Sequence, residues 1–124
     1  MQKNPTYMTF EQQRAQAAWQ ACAQYQDAHV KAAKGLPALI MNSGLMQVLA
    51  FCEEKSAANG KVADDLRTWL AFRFPSVFDT GAEFNSFMQA LIKADSPTYQ
   101  AIHAEAFAWL KWLRQLAAAR IKER

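Results

Sequence analysis

The stretch KGLPALIMNSGLMQVLAF, residues 34–51, decides the fold. Between Leu36 and Cys52 only Asn42, Ser43 and Gln47 are polar, and Gly44 sits near the middle. The apolar residues run all round the helix such a segment would form, which places it in an interior. No uninterrupted apolar run approaches the ~20 residues a membrane helix requires, so no membrane contact is expected. Pro37 suits the start of a helix, where its missing amide is not needed. Asn42-Ser43-Gly44 then breaks the pattern, since glycine in a helix interior is about 1 kcal/mol less favourable than alanine. The stretch predicts two short helices joined by a kink and buried at the centre of the fold.

Composition points the same way. Of 124 residues, 52% are hydrophobic and 20% charged, which fits one globular domain over 1–124 and excludes a disordered chain. Alanine supplies 24 positions, whereas Val, Ile and Thr together supply 13, so helix formers outweigh strand formers. The expected fold class is all-α, a single compact bundle of five or six helices, with residues 1–8 as a flexible N-terminus.

Helix signals recur along the chain. Thr9-Phe10-Glu11-Gln12 has the form of a capping box. It predicts a long helix to about Lys34, ended by a left-handed Gly35, with Lys31 and Lys34 in its last turn beside the negative end of the dipole. Phe10, Ala17, Ala18, Ala21, Tyr25, Ala28 and Ala32 form its inward stripe. Asn59-Gly60 is expected to end the second helix of the opening stretch. A helix over about 61–72 turns Val62, Leu66, Trp69 and Leu70 inward and Asp64, Asp65, Arg67 and Thr68 more outward. Phe74-Pro75 stops it. Thr80-Gly81-Ala82-Glu83 predicts a second capping box, followed by Phe84, Phe87, Met88, Leu91 and Ile92 on one helical face. Ser96-Pro97 opens a last helix running to about Lys122, with Ile102, Ala106, Trp109, Leu110, Leu113, Leu116 and Ala117 as its stripe.

The formal charge is +3, with a pI near 9.0. Residues 1–96 are balanced, nine basic against nine acidic, and residues 97–124 carry five basic against two acidic, so the whole excess lies on the last helix. That distribution suits attraction to a phosphate backbone or to an acidic protein, or simply a solvated surface. For a nucleic-acid partner the candidate backbone contacts are Lys31, Lys34, Lys111 and Arg114, followed by Lys55, Arg67 and Arg73. Phe107 and Trp112 flank the last helix's stripe, either as the edges of a wide buried arc or as a contact surface for a partner. Arg120 falls on the stripe itself, where a structural role, snorkelling or binding carbonyls, is expected.

Catalytic patterns are missing. His29 and His103 lie on different helices, neither with a neighbour at metal-ligand spacing. The four glycines, 35, 44, 60 and 81, are isolated, so there is no phosphate-cradling loop. Asp64-Asp65 and Glu53-Glu54 are adjacent pairs whose side chains diverge around a helix. No enzyme activity, metal or cofactor is expected. The isolated Cys22 and Cys52 fit buried thiols in a reducing compartment, and the N-terminus MQKNPTYMTF has no apolar signal core; the expected location is the cytoplasm.

Two blocks carry a family resemblance. The first is Leu36-Pro37-x-Leu39-Ile40-x-x-x-Gly44-Leu45-x-Gln47-x-Leu49-Ala50-Phe51. The second is Tyr99-x(5)-Glu105-Ala106-x-x-Trp109-Leu110-x-Trp112-Leu113-x(3)-Ala117-x-x-Arg120. Together they resemble the small α-helical subunit (Cmr5) family of the type III-B CRISPR effector, the RAMP-module or Cmr complex. The resemblance spans roughly 10–122 and is weak over 55–95. Ser43 stands where the family has Asn, and Met41 and Gln100 stand where members often carry basic residues. The resemblance implies a non-catalytic subunit of a CRISPR-RNA-guided antiviral complex. Copies of it would stack beside the backbone subunits, with the large subunit as a further partner, and line the groove that holds CRISPR RNA paired to target RNA. The alternative from another class is a helical protein–protein adaptor without RNA contact.

Overall fold

Local sequence signals start each helix of the computed structural model, which describes residues 7–123. The expectation for the N-terminus, 1–8, falls largely outside the described residues. Six α-helices follow in order: α1 (Phe10–Ala21), α2 (Asp27–Ser43), α3 (Leu45–Lys55), α4 (Ala57–Arg73), α5 (Phe84–Lys93) and α6 (Ser96–Lys122). A short 3-10 turn, Cys22–Gln24, links α1 to α2. The described residues form an all-α bundle around one continuous core. The long α6 packs on α1 and α2, α4 packs on α2 and α3, and α5 rests against α3 and α4.

The Thr9 capping box is present: Thr9 Oγ1 accepts from Gln12 N at 3.0 Å, and Gln12 Oε1 accepts from Thr9 N at 2.9 Å. The helix it opens is shorter than the pattern predicts. Tyr25 takes extended backbone, and its ring is buried with the hydroxyl donating to Asp65 at 2.6 Å. A new helix starts at Asp27, capped by His29, whose Nδ1 accepts from Gln26 N at 3.0 Å. Lys31 and Lys34 therefore lie inside α2 rather than in a last turn. Gly35 and Pro37 also lie inside α2, and Gly35 has no positive φ. Pro37 removes one helical amide, yet Val30, Ala33, Leu36 and Ile40 form a buried stripe that carries the helix through.

The break occurs at Gly44. Its φ of 85° and ψ of 158° belong to a region essentially restricted to glycine. Gly44 N donates to Ile40 O at 2.8 Å, closing α2, and Gly44 O accepts from Val48 N at 3.2 Å, opening α3. The expectation of a helix buried on all sides is corrected. Leu45, Val48, Leu49 and Cys52 are buried in α3, whereas Leu39, Met41 and Phe51 are exposed, Met41 by 75%. On α1, Phe10 is exposed rather than inward, and on α2 so is Ala28.

Three further boundaries shift. Ser56 caps α4 by accepting from Asn59 N at 3.1 Å, so Asn59-Gly60 sits in a first turn instead of ending a helix. Glu83, not Thr80, caps α5: its carboxylate accepts from Asn85 N and Ser86 N. Asp95 caps α6 through Thr98 N at 2.9 Å, placing Ser96 first and Pro97 second in the helix. Ile92 on α5 is exposed while Phe87 and Leu91 are buried. The loop between α4 and α5 is anchored by buried Phe78, stacked on Phe87 with centroids 4.0 Å apart.

Two glycines in one segment give opposite expected outcomes. Neither would place a new Cβ within 4 Å of another atom, so backbone conformation alone decides. Gly44→Ala should lower the unfolding free energy by about 1–3 kcal/mol. Gly35→Ala, in ordinary helical geometry, should raise it by about 0.5–1 kcal/mol. Urea unfolding of the two variants checks both signs.

Candidate nucleic-acid interface

Four of the predicted cations stand on two outward helix faces. Lys31 and Lys34, three residues apart on α2, are exposed on the face that also carries Ala38 and Met41. Lys111 and Arg114 are the corresponding exposed pair on α6, with half-buried Phe107 one turn before Lys111. None of the four enters an ion pair with another described residue. Lys55, at the end of α3, is exposed with its ammonium 5.9 Å from the Phe51 ring centre. It borders a depression lined by Glu53, Glu54 and Asp64 and equally by Lys61 and Arg67, so the charges there balance.

Arg67 and Arg73 are engaged inside the protein. Arg67 is 4% exposed, which corrects its expected outward position. Its guanidinium meets Glu53 at 3.4 Å and Asp64 at 3.1 Å and lies over Phe84. Arg73 contacts Glu105 at 3.5 Å and stacks over Phe10 with its guanidinium carbon 4.4 Å from the ring centre. That stacking explains why an exposed Phe10 is tolerated.

Glu105 is the centre of this arrangement. It is only 5% exposed and takes both oxygens of its carboxylate into a fork from Arg14, at 2.7 and 2.8 Å. Trp69 Nε1 donates to it at 3.1 Å. Burial alone would push this carboxyl up, but the Arg14 and Trp69 hydrogen bonds and the charges of Arg14 and Arg73 hold it below the ordinary range. The same contact raises the Arg14 guanidinium further. The sequence carries little warning of this hub, because a single Glu amid alanines and aromatics has no local partner.

The remaining candidates are built into the packing. Phe107 and Trp112 are half-buried against the core, with the Phe107 ring edge-on to His103 at 5.1 Å. His103 also stacks on Tyr99, and His29 stacks on Tyr25 at 5.1 Å. Arg120 does bind a carbonyl: it donates to Trp19 O and lies 4.0 Å over the Trp19 ring. Among the described residues no group of three His, Cys, Asp or Glu is placed to hold a metal ion. No described helix is long and apolar enough to cross a membrane.

A feature the sequence analysis misses is a cleft of ≈ 700 Å³ between α1 and α4. Gln13, Gln16, Gln20 and Gln24 form one side of it, and Thr68, Trp69 and Phe72 the other. The glutamine spacing of three or four residues was the available signal.

The family model described as "CRISPR-associated protein (Cas_Cmr5)" matches residues 10–120. Among solved structures, a CRISPR-associated Cmr5 family protein from Thermus thermophilus is similar, with a TM-score of 0.72 and 24% identity. The match covers 90% of this chain and 97% of that one; at this identity it shows a shared fold. No curated protein matches the chain.

Replacing Glu105 tests the hub. Glu105→Ala leaves two arginines and an indole N–H facing one another without their acceptor and should cost about 3 kcal/mol of stability. Because folding depresses this carboxyl, its contribution is present above the unfolded carboxylate range and lost as pH falls through the folded value. Stability of the native chain should therefore decline below about pH 5, and Glu105→Gln should flatten that decline. Urea midpoints across pH measure both.

Proposed function

The chain belongs to the Cmr5 family of CRISPR-associated proteins, and on that premise we propose that it is the small, non-catalytic subunit of a type III-B RNA-guided effector. The carrying observation is the family match along residues 10–120. In this reading copies of the chain stack beside the backbone subunits, near the large subunit, and help hold CRISPR RNA paired to target RNA in antiviral defence within the cytoplasm. Sequence is read by base pairing, so the protein's part is attraction to the backbone and recognition of duplex shape.

The exposed pairs Lys31/Lys34 and Lys111/Arg114 supply that attraction, with exposed Lys55 as a further contributor. Their ammonium and guanidinium groups enter no ion pair with another described residue, unlike those of Arg67 and Arg73, which we assign to the fold. Phe107 and Trp112, only half covered, are the edges of α6 available to a neighbouring subunit. A non-catalytic role accords with the use of His29 as a helix cap and of His103 in ring stacking.

The test is recovery of the tagged chain from its host with its bound partners, followed by sequencing of bound small RNA. Guide RNAs accompanied by several larger subunits are expected. Lys111→Glu/Arg114→Glu should then weaken target-RNA binding by the assembled complex and lower the slope of log affinity against log salt by about 1–2. Partner proteins recovered without RNA, even at low salt, would instead favour a protein–protein adaptor.

A further inference from the structure

The cleft between α1 and α4 has an unusual lining for the surface of a basic protein. From Ala15 to Gln26 the chain carries no charged residue at all. Gln16, Gln20 and Gln24 are exposed there, each able to donate and to accept. The charged residues lining the cleft are Lys61 and Asp65, and they neutralise each other at 2.7 Å. Asp65 also takes the Tyr25 hydroxyl, so its remaining capacity is largely used. The apolar side is formed by Phe72, 59% exposed, tilted against Trp69 at 5.7 Å. Trp109 lies in the same lining, and its buried indole N–H has no acceptor among the described residues.

Charge decides the class of occupant. A nucleic-acid strand brings one phosphate per nucleotide, and this cleft has no excess cation to meet it. A polypeptide main chain brings alternating N–H and C=O groups and no charge, which matches a row of amides. Depletion of charge with enrichment of aromatics is also the composition of protein interface cores.

We propose that this cleft docks an uncharged, extended segment of a partner polypeptide, its main chain along the glutamine row and one apolar side chain against Phe72 and Trp69. The proposal rests on the reading of the chain as one subunit of a larger assembly and names the face through which it is held.

The test is photo-crosslinking in the native host. The tagged full chain carries benzoylphenylalanine at Gln20 or, separately, at Phe72, with Gln100 as an exposed control. Crosslinked peptides are identified by mass spectrometry, and small RNA is sequenced from the same preparation. Both cleft positions should crosslink to one uncharged segment of a single partner protein, and the control should not. Phe72→Ala, with folding checked by thermal melting, should weaken retention of that partner about tenfold. Crosslinks to RNA or to a second copy of this chain would overturn the proposal. So would silence at both positions in a preparation that contains guide RNA and partners, and this result would leave the subunit reading standing. The specified crosslink in a preparation without guide RNA would uphold the cleft and count against the effector reading. A preparation with neither partner nor RNA would sink both.

Discussion

The carboxylate of Glu105 holds three helices to one another. It sits on α6, receives a two-pronged hydrogen bond from Arg14 on α1, and is touched by Trp69 and Arg73 from α4. A buried charge is unfavourable unless its partners surround it, and that requirement fixes the rotation of α6 against both neighbours. Once α6 is so placed, Trp109 stacks on Trp69 at 6.2 Å, and Ile102, Ala106, Leu110 and Leu113 fall into the core. The apolar stripe supplies most of the driving force, but apolar contact alone has no preferred register. The ion cluster supplies the register.

The same cluster reshapes the electrostatics. The sequence excess of positive charge looks available for a polyanion, yet Arg14, Arg67 and Arg73 are turned inward onto carboxylates and rings. Lys31 and Lys34 on α2 and Lys111 and Arg114 on α6 remain outward, as do Lys55, Lys93 and Lys122. The cleft between α1 and α4 is neutral by comparison. The surface thus carries exposed cations on several helices and one trough whose charges cancel.

Helix class, the Gly44 corner, the Thr9 cap and the stripe of α6 were legible because each depends on neighbours within a turn or two. The break before Asp27 was not, because nothing in CAQYQD forbids a helix; what interrupts it is Tyr25 finding Asp65, 40 residues away. Gly35 and Pro37 mislead for the complementary reason: their local penalties are real, and burial of Leu36 and Ile40 outweighs them. Among site residues, exposure of Lys31, Lys34, Lys111 and Arg114 followed from helical spacing. The internal use of Arg67 and Arg73 did not, since Glu53 precedes one by 14 residues and Glu105 follows the other by 32. The role of Arg120 was foreseeable from its place on an apolar stripe.

The 91-position separation of Arg14 and Glu105 also matters during synthesis. Translation at roughly 5–20 residues per second leaves α1 on the ribosome for several seconds to nearly twenty before its acceptor exists. During that interval an alanine- and glutamine-rich segment without charge repulsion must stay unpaired, too short to be a stable helix by itself. The fold is therefore completed from its far end: the last helix made is the one that lets the first one settle, and any early stop in α6 would strand α1 with it.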